Sequence, residues 1–291
     1  MKYSPQDWFD AGQFKTVLGQ KIFTVEAGES DKPTILFIHG FPTSSWDWTP
    51  IWDDFKQDYH LITLDLLGFG YSDKPKGHDY SILEQADIVE ALIAEYDLTS
   101  LHVLAHDYGD TVAQELLARQ NEGRGQGNWL SCCFLNGGLF PEPHRARLVQ
   151  KLLLTPLGPF INRLIGEAQF KRSLSAVFGP QTKPSEDELD AFWHMLTYND
   201  GKSVLSRLLR YMPERKKFRE RWRGALTEAK IPLALINGSL DPVSGAHMVD
   251  YYLEHVGTPS YLKRIEDVGH YPQTESPQKV IESYREFLTG K

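Results

Sequence analysis

Cysteine is almost missing from this chain: among 291 residues only Cys132 and Cys133 occur, side by side in an apolar run. Adjacent thiols in such a setting read as core side chains, which argues against a disulfide framework or a thiolate metal site. The sequence also lacks any apolar run long enough to span a bilayer. His-Glu-x-x-His and Cys-x-x-Cys spacings are missing too, so neither a metal nor another cofactor is expected. There is no excess of positive charge: 31 Lys and Arg stand against 39 Asp and Glu, a net charge of −8, which argues against nucleic acid as a partner. The opening Met1-Lys2-Tyr3-Ser4-Pro5-Gln6-Asp7 has no apolar stretch after its basic residue, so the expectation is a cytoplasmic protein without a secretory leader.

What the chain does contain is the composition of a globular protein, with 41% hydrophobic and 24% charged residues. Short apolar runs at 34–38, 61–64, 101–105 and 130–134 each end near Gly, Asp or Asn, and an alternating 21–26 precedes them. Between them, Leu83 to Ala94 repeats apolar positions three and four apart, as an amphipathic helix does. This is the strand-helix rhythm of a mostly parallel sheet flanked by helices, an α/β fold. From about Phe140 the rhythm breaks into helix-like sequence, and strands resume at 231–236 and 261–265 before a closing helix from Pro277 to Leu288. The expected organisation is a core of residues 1–139 and 230–291 with a helical cap, 140–229, inserted into it. The expected assembly is a monomer or homodimer.

Chemistry concentrates at strand ends, where open parallel sheets place their ligands. Asp107 occupies the sharp turn between the apolar run 101–105 and the helical 111–118, the place where Gly-x-Ser-x-Gly hydrolases carry serine. A serine there needs a base to remove its proton, whereas a carboxylate is ionised at neutral pH and leaves the histidine free to activate water. Asp241 follows a later strand, 231–236, and His270 the last, giving the chain order nucleophile, acid, histidine. Taken singly each has a plain reading: Asp107 a turn residue, Asp241-Pro242 a helix start, His270 a loop histidine. Together, at the ends of the right strands, they read as a triad. His39-Gly40-Phe41-Pro42 ends the first parallel strand, so the backbone N–H groups of Phe41 and Tyr108 are expected to form an oxyanion hole. Gly68-Phe69-Gly70 lacks the third glycine of a dinucleotide fingerprint.

Through His39-Gly40-Phe41-Pro42, Gly68-Phe69-Gly70-Tyr71-Ser72 and the Asp107 turn, the chain resembles the α/β-hydrolase superfamily, on the branch of epoxide hydrolases and haloalkane dehalogenases. His106-Asp107-Tyr108-Gly109-Asp110, Leu135 to Pro141, Val177-Phe178-Gly179-Pro180 and Arg215-Lys216-Lys217-Phe218 resemble the mesoderm-specific transcript-like hydrolases more narrowly. The resemblance implies an alkyl ester formed on Asp107 and hydrolysed by His270. Dehalogenases hold the leaving halide with a tryptophan after the nucleophile and with an Asn or second Trp, but here those positions are Tyr108 and Phe41. Epoxide hydrolases use two lid tyrosines as proton donors. Tyr211 resembles one; the other has no counterpart between Phe140 and Leu196, and Tyr198 is a substitute or a packing residue. Trp193, Tyr198 and His106 are expected at the substrate, with Phe160, Leu164, Phe192, Leu196 and Leu205 as further candidates for an apolar wall. The expected function is therefore epoxide hydrolysis on an apolar small molecule, with haloalkane dehalogenation or ligand binding without turnover as the other readings. The basic run 215–223, with aromatics at helical spacing, reads as a solvated helix face rather than a membrane contact.

Overall fold

In a computed structural model, which describes residues 2–290, eight strands form one sheet: β1 (Gly12–Val17), β2 (Gln20–Ala27), β3 (Thr34–Ile38), β4 (His60–Leu64), β5 (Ser100–His106), β6 (Asn128–Leu135), β7 (Leu233–Gly238) and β8 (Tyr261–Ile265). Their spatial order is β1-β2-β4-β3-β5-β6-β7-β8. The β1-β2 hairpin pairs antiparallel and β2 meets β4 antiparallel, while all later pairings are parallel. β3, β4 and β7 are buried at every position, as strands covered by helices on both faces must be, which is why they read as unbroken apolar runs rather than alternations. β1 was not anticipated. It is an edge strand with mostly exposed or half-exposed side chains, so its pairing is set by the tight turn at Leu18 and Gly19, both at positive φ, the geometry that lets a two-residue hairpin follow the strand twist.

Two helices bracket the centre of the sheet. Ile82–Glu95 starts where the Ser81 side chain accepts the N–H of Glu84 at 3.1 Å, satisfying one of the donors a helix start leaves open. Tyr108–Asn121 follows β5 directly and is buried along nearly its whole length. The chain goes from β3 outward to β4, then returns to lay β5 on the other side of β3. That reversal opens a crevice between the carboxyl ends of β3 and β5, where ligands bind in such sheets. Between β6 and β7 the chain forms only helices, from Leu148–Leu153 to Arg219–Thr227; residues from 147 to 177 and Leu205 cover that end of the sheet, whereas Arg219–Thr227 packs along the helix Tyr108–Asn121, Ala225 accepting from Asn121.

Candidate active site

The turn from β5 into its helix holds Asp107 at φ 48° and ψ −104°, a conformation that costs an L-residue about 1–3 kcal/mol and persists only where the surroundings impose it. Glycine on either side makes the turn possible. A Cβ on Gly109 would sit 2.3 Å from the Ile38 carbonyl oxygen, and one on Gly40 would meet the Asp107 Cβ at 2.8 Å. The helix start therefore presses against the end of β3, and the Asp107 side chain is carried into the crevice.

The carboxylate is divided between two neighbours. Its Oδ2 accepts the Phe41 N–H at 3.0 Å, and its Oδ1 lies 3.8 Å from His270 Nε2, too far for a hydrogen bond. The imidazole is turned that way by its other nitrogen, since Nδ1–H donates to Asp241 Oδ2 at 2.7 Å. Asp241 in turn is held by the N–H groups of Val243 (2.7 Å) and Ser244 (3.1 Å), the Ser244 hydroxyl (2.8 Å) and Asn136 Nδ2 (3.0 Å). Burial works to raise the Asp241 pKa, but the His270 charge and these bonds prevail and bring it to about 2. For His270, burial works to lower the pKa, and the carboxylates of Asp241 and then Asp107 overcome it, pushing the imidazole up to about 9. The electrostatics thus favour an ion pair at Asp241 and His270 next to the Asp107 carboxylate.

Asp107 and His270 open onto a cavity of about 110 Å³ whose wall is mainly apolar, with Leu153, Phe170, Leu174, Val177 and Leu205 prominent. Of the expected wall residues, Leu205 is present. Phe160 and Leu164 are exposed on the surface instead, and Phe192 packs edge-on against Trp46 at 5.2 Å. The three expected substrate contacts also lie elsewhere. Trp193 tilts against Phe170, 5.5 Å between ring centres, outside the cavity. Tyr198 packs edge-on against Tyr71 at 4.8 Å, beneath the Lys74 ammonium. His106 is fully buried, and its Nε2–H donates to the His270 carbonyl at 2.8 Å, so it braces the histidine loop rather than facing a substrate.

Tyr211 is buried against Tyr108, 5.0 Å between ring centres, with the Arg215 guanidinium 4.5 Å over its ring. Burial, and next the Asp107 charge, hold its phenol well above the usual tyrosine range, while Arg215 opposes them. It stands behind the cavity wall rather than in it. Tyr271 does line the cavity, and its hydroxyl lies 3.4 Å from the Phe41 carbonyl. Burial keeps that phenol protonated too.

Several groups at the site escaped the sequence reading. Asn136 ties β6 to β7, its Oδ1 accepting the Gly238 N–H at 2.7 Å while its amide reaches Asp241. Its position at a strand end was the one available signal. Glu275 gathers the N–H groups of Gly179 and Gly269 (both 2.8 Å) and Tyr271 (2.9 Å), and His270 N–H donates to Val177 at 2.9 Å. The histidine loop is thereby fastened to the segment Val177-Phe178-Gly179-Pro180.

Comparison with known proteins agrees with this architecture. A family model described as alpha/beta hydrolase fold matches residues 33–277. The chain is 45% identical to the mesoderm-specific transcript homolog protein of Bos taurus over 97% of this chain and 87% of that one, and 36% identical to LipZ of Mycobacterium tuberculosis over 98% of both. Among solved structures, a loop variant of a haloalkane dehalogenase from Bradyrhizobium elkanii superposes with a TM-score of 0.80 over 96% of both chains at 24% identity, a likeness of fold. A strand-end aspartate in a strained turn, a histidine after the last strand, and a family match across most of the sequence lead to one conclusion: the chain belongs to the α/β-hydrolase family, among the relatives of the mesoderm-specific transcript proteins.

Proposed function

We propose that this chain is a cofactor-independent hydrolase that forms a transient alkyl ester on Asp107, with epoxides of apolar small molecules as substrates. The observation that carries this reading is the division of the Asp107 carboxylate. One oxygen accepts a backbone N–H and the other faces the cavity and the histidine. Attack by Oδ1 on an epoxide carbon forms a C–O bond and breaks the ring C–O bond. A protonated phenol neutralises the alkoxide, with Tyr211 the expected donor and Tyr271 the tyrosine already at the cavity wall. Water entering from the cavity then attacks the ester carbonyl carbon, giving its proton to His270 Nε2. The oxyanion forms where Oδ2 now sits, held by Phe41 N–H and, in this reading, by Tyr108 N–H. Before water attacks, the protonated His270 gives its proton to the tyrosinate left by ring opening; collapse then expels the diol oxygen, which takes the new carboxyl proton, so the diol leaves and the Asp107 carboxylate and the protonated imidazole are restored.

Two kinds of relative support this choice. The chain is 26% identical to a Caenorhabditis elegans protein named epoxide hydrolase 1, over 92% of this chain and 68% of that one. The dehalogenase likeness is one of fold, and neither Tyr108 nor Phe41 carries the indole or amide N–H that holds a halide. The decisive experiment replaces His270 with glutamine and incubates the protein with a reactive apolar epoxide. The expected result is intact protein heavier by one substrate molecule, with the adduct mapped to Asp107. Tyr211→Phe and Tyr271→Phe are expected to slow adduct formation in proportion to each phenol's share of protonation. An unmodified protein would sink the reading, and halide release from haloalkanes in its place would redirect it to dehalogenation.

A further inference from the structure

Large apolar side chains left exposed are few and unevenly spread. Six of them fall between residues 148 and 164, on the helices Leu148–Leu153 and Gly158–Leu164 and the turn between them. The most exposed are Leu148 (73%), Leu164 (68%), Leu157 (66%) and Phe160 (61%). A cluster of this kind on one short segment marks an interaction surface. Its charge is as uneven. Residues 145–164 contain Arg145, Arg147, Lys151 and Arg163 and no Asp or Glu, in a chain whose net charge is −8. Among the described residues none of these four cations has a carboxylate within ion-pair distance. The flanking acids point elsewhere, Glu142 to Arg219 and Glu167 to Lys171.

The basic run 215–223 behaves differently. Arg219, Arg221 and Arg223 are each paired with glutamates, whereas Lys216, which lines a groove with Arg145 and Lys151, adds to the positive charge of 145–164. Exposed leucines and phenylalanine among unpaired Arg and Lys form the chemistry that sits in the headgroup layer of an anionic bilayer, apolar side chains inward and cations at the phosphates. The surface also leads inward. An outer groove bordered by Leu148, Leu152 and Leu164 shares Arg147, Val149, Ile165, Gln169 and Ser173 with the cavity that holds Asp107 and His270.

We propose that the segment 145–164 docks this protein on an anionic phospholipid surface, with the groove mouth turned toward the lipid. Docking itself is independent of the chemistry assigned to Asp107. Its consequence, that an apolar substrate enters from the bilayer rather than from water, rests on that assignment.

The test is flotation with unilamellar vesicles of phosphatidylcholine alone or mixed with phosphatidylglycerol. Binding to the mixed vesicles only, reversed by high salt, is expected. Leu157 and Phe160 touch neither the cavity nor the groove. The double variant Leu157→Ser/Phe160→Ser is therefore expected to unfold at the parent temperature, to bind these vesicles about tenfold or more weakly, and to turn over a water-soluble epoxide at the parent rate. Its kcat/KM on a long-chain epoxide carried in the vesicles is expected to fall. Lys151→Glu/Arg163→Glu is expected to lose the preference for anionic lipid. Failure of the parent to float with either vesicle overturns the proposal, as does equal flotation of parent and variants. A patch that serves a second copy of the chain would show as a dimer in sedimentation that the double variant loses, without vesicle binding, and would overturn it as well. Flotation without turnover would leave docking intact and count against the Asp107 chemistry alone.

Discussion

At the residue scale, Asp107 and His270 are coupled by charge across 3.8 Å. A histidine raised to about 9 is protonated at neutral pH and cannot take a proton from water. The proposed ester lowers this obstacle: once Asp107 is alkylated, one of the carboxylate charges that raise the imidazole is gone, and burial draws its pKa toward neutrality against the remaining pull of Asp241. In the variant Asp107→Asn the His270 pKa is accordingly expected to fall from about 9 by at least roughly one unit, about 1.4 kcal/mol of lost interaction. NMR titration of the imidazole nitrogens measures this, and an unchanged midpoint would remove the coupling. The sign for stability follows from the same shifts. The raised His270 stabilises the fold fully below its ordinary 6.5 and loses that contribution as pH rises through about 9. The depressed Asp241 contributes above 3.8 and loses its share as pH falls through about 2. The pair is therefore at full strength between pH 3.8 and 6.5.

At the scale of elements, the strand-turn-helix unit from β5 to Asn121 depends on how closely two backbones approach. Gly109 faces the carbonyl oxygens of Ile38 and His39 at the end of β3, which would lie 2.3 and 2.7 Å from an added Cβ. Neither oxygen can turn aside without breaking the strand. Gly109→Ala is expected to lower stability by about 1–3 kcal/mol, as overpacking does, and to move the helix start so that the bond from Phe41 N–H to Asp107 is lost. Denaturant unfolding would show it; parent stability in that variant would mean that the contact yields more easily than backbone should. This kind of element was legible beforehand. The apolar run at 34–38 matches β3 and that at 61–64 lies within β4, and the periodic Leu83–Ala94 lies within the helix Ile82–Glu95, because burial on two faces or on one helical stripe writes itself into local sequence. β1 does not, since an exposed edge strand carries no such pattern. The strand ends could be found, and with them Asp107, Asp241 and His270. The groups around these three were not legible, because Asn136 reaches Asp241 across 105 residues and Glu275 binds Gly179 across 96. Wall residues such as Phe170 and Leu174 depend on how short helices cross, which periodicity leaves open.

At the scale of the whole molecule, cohesion is unevenly distributed, and the uneven part coincides with the route to the cavity. β3, β4 and β7 bury every residue, and the helix Tyr108–Asn121 buries nearly all of its own. The helix Leu148–Leu153 buries Leu153 alone, and Gly158–Leu164 only Gly158 and Asn162. Apolar burial stabilises by roughly 25 cal/mol per Å², so opening these two helices exposes little that is not already exposed, whereas opening the central sheet requires unfolding the protein. Hydrogen exchange is expected to rank the backbone accordingly, with amides of β3, β5 and β7 exchanging only by global unfolding and those of 148–164 exchanging fastest among the helices. No helix among the described residues is long and apolar enough to cross a membrane. Anionic vesicles should slow exchange at 148–164 and leave the sheet unaffected. Protection of 148–164 equal to that of β5 in the free protein would mean that this segment is held by packing not accounted for by its buried side chains, and that the cavity is closed by a rigid wall rather than by a surface that a bilayer can engage.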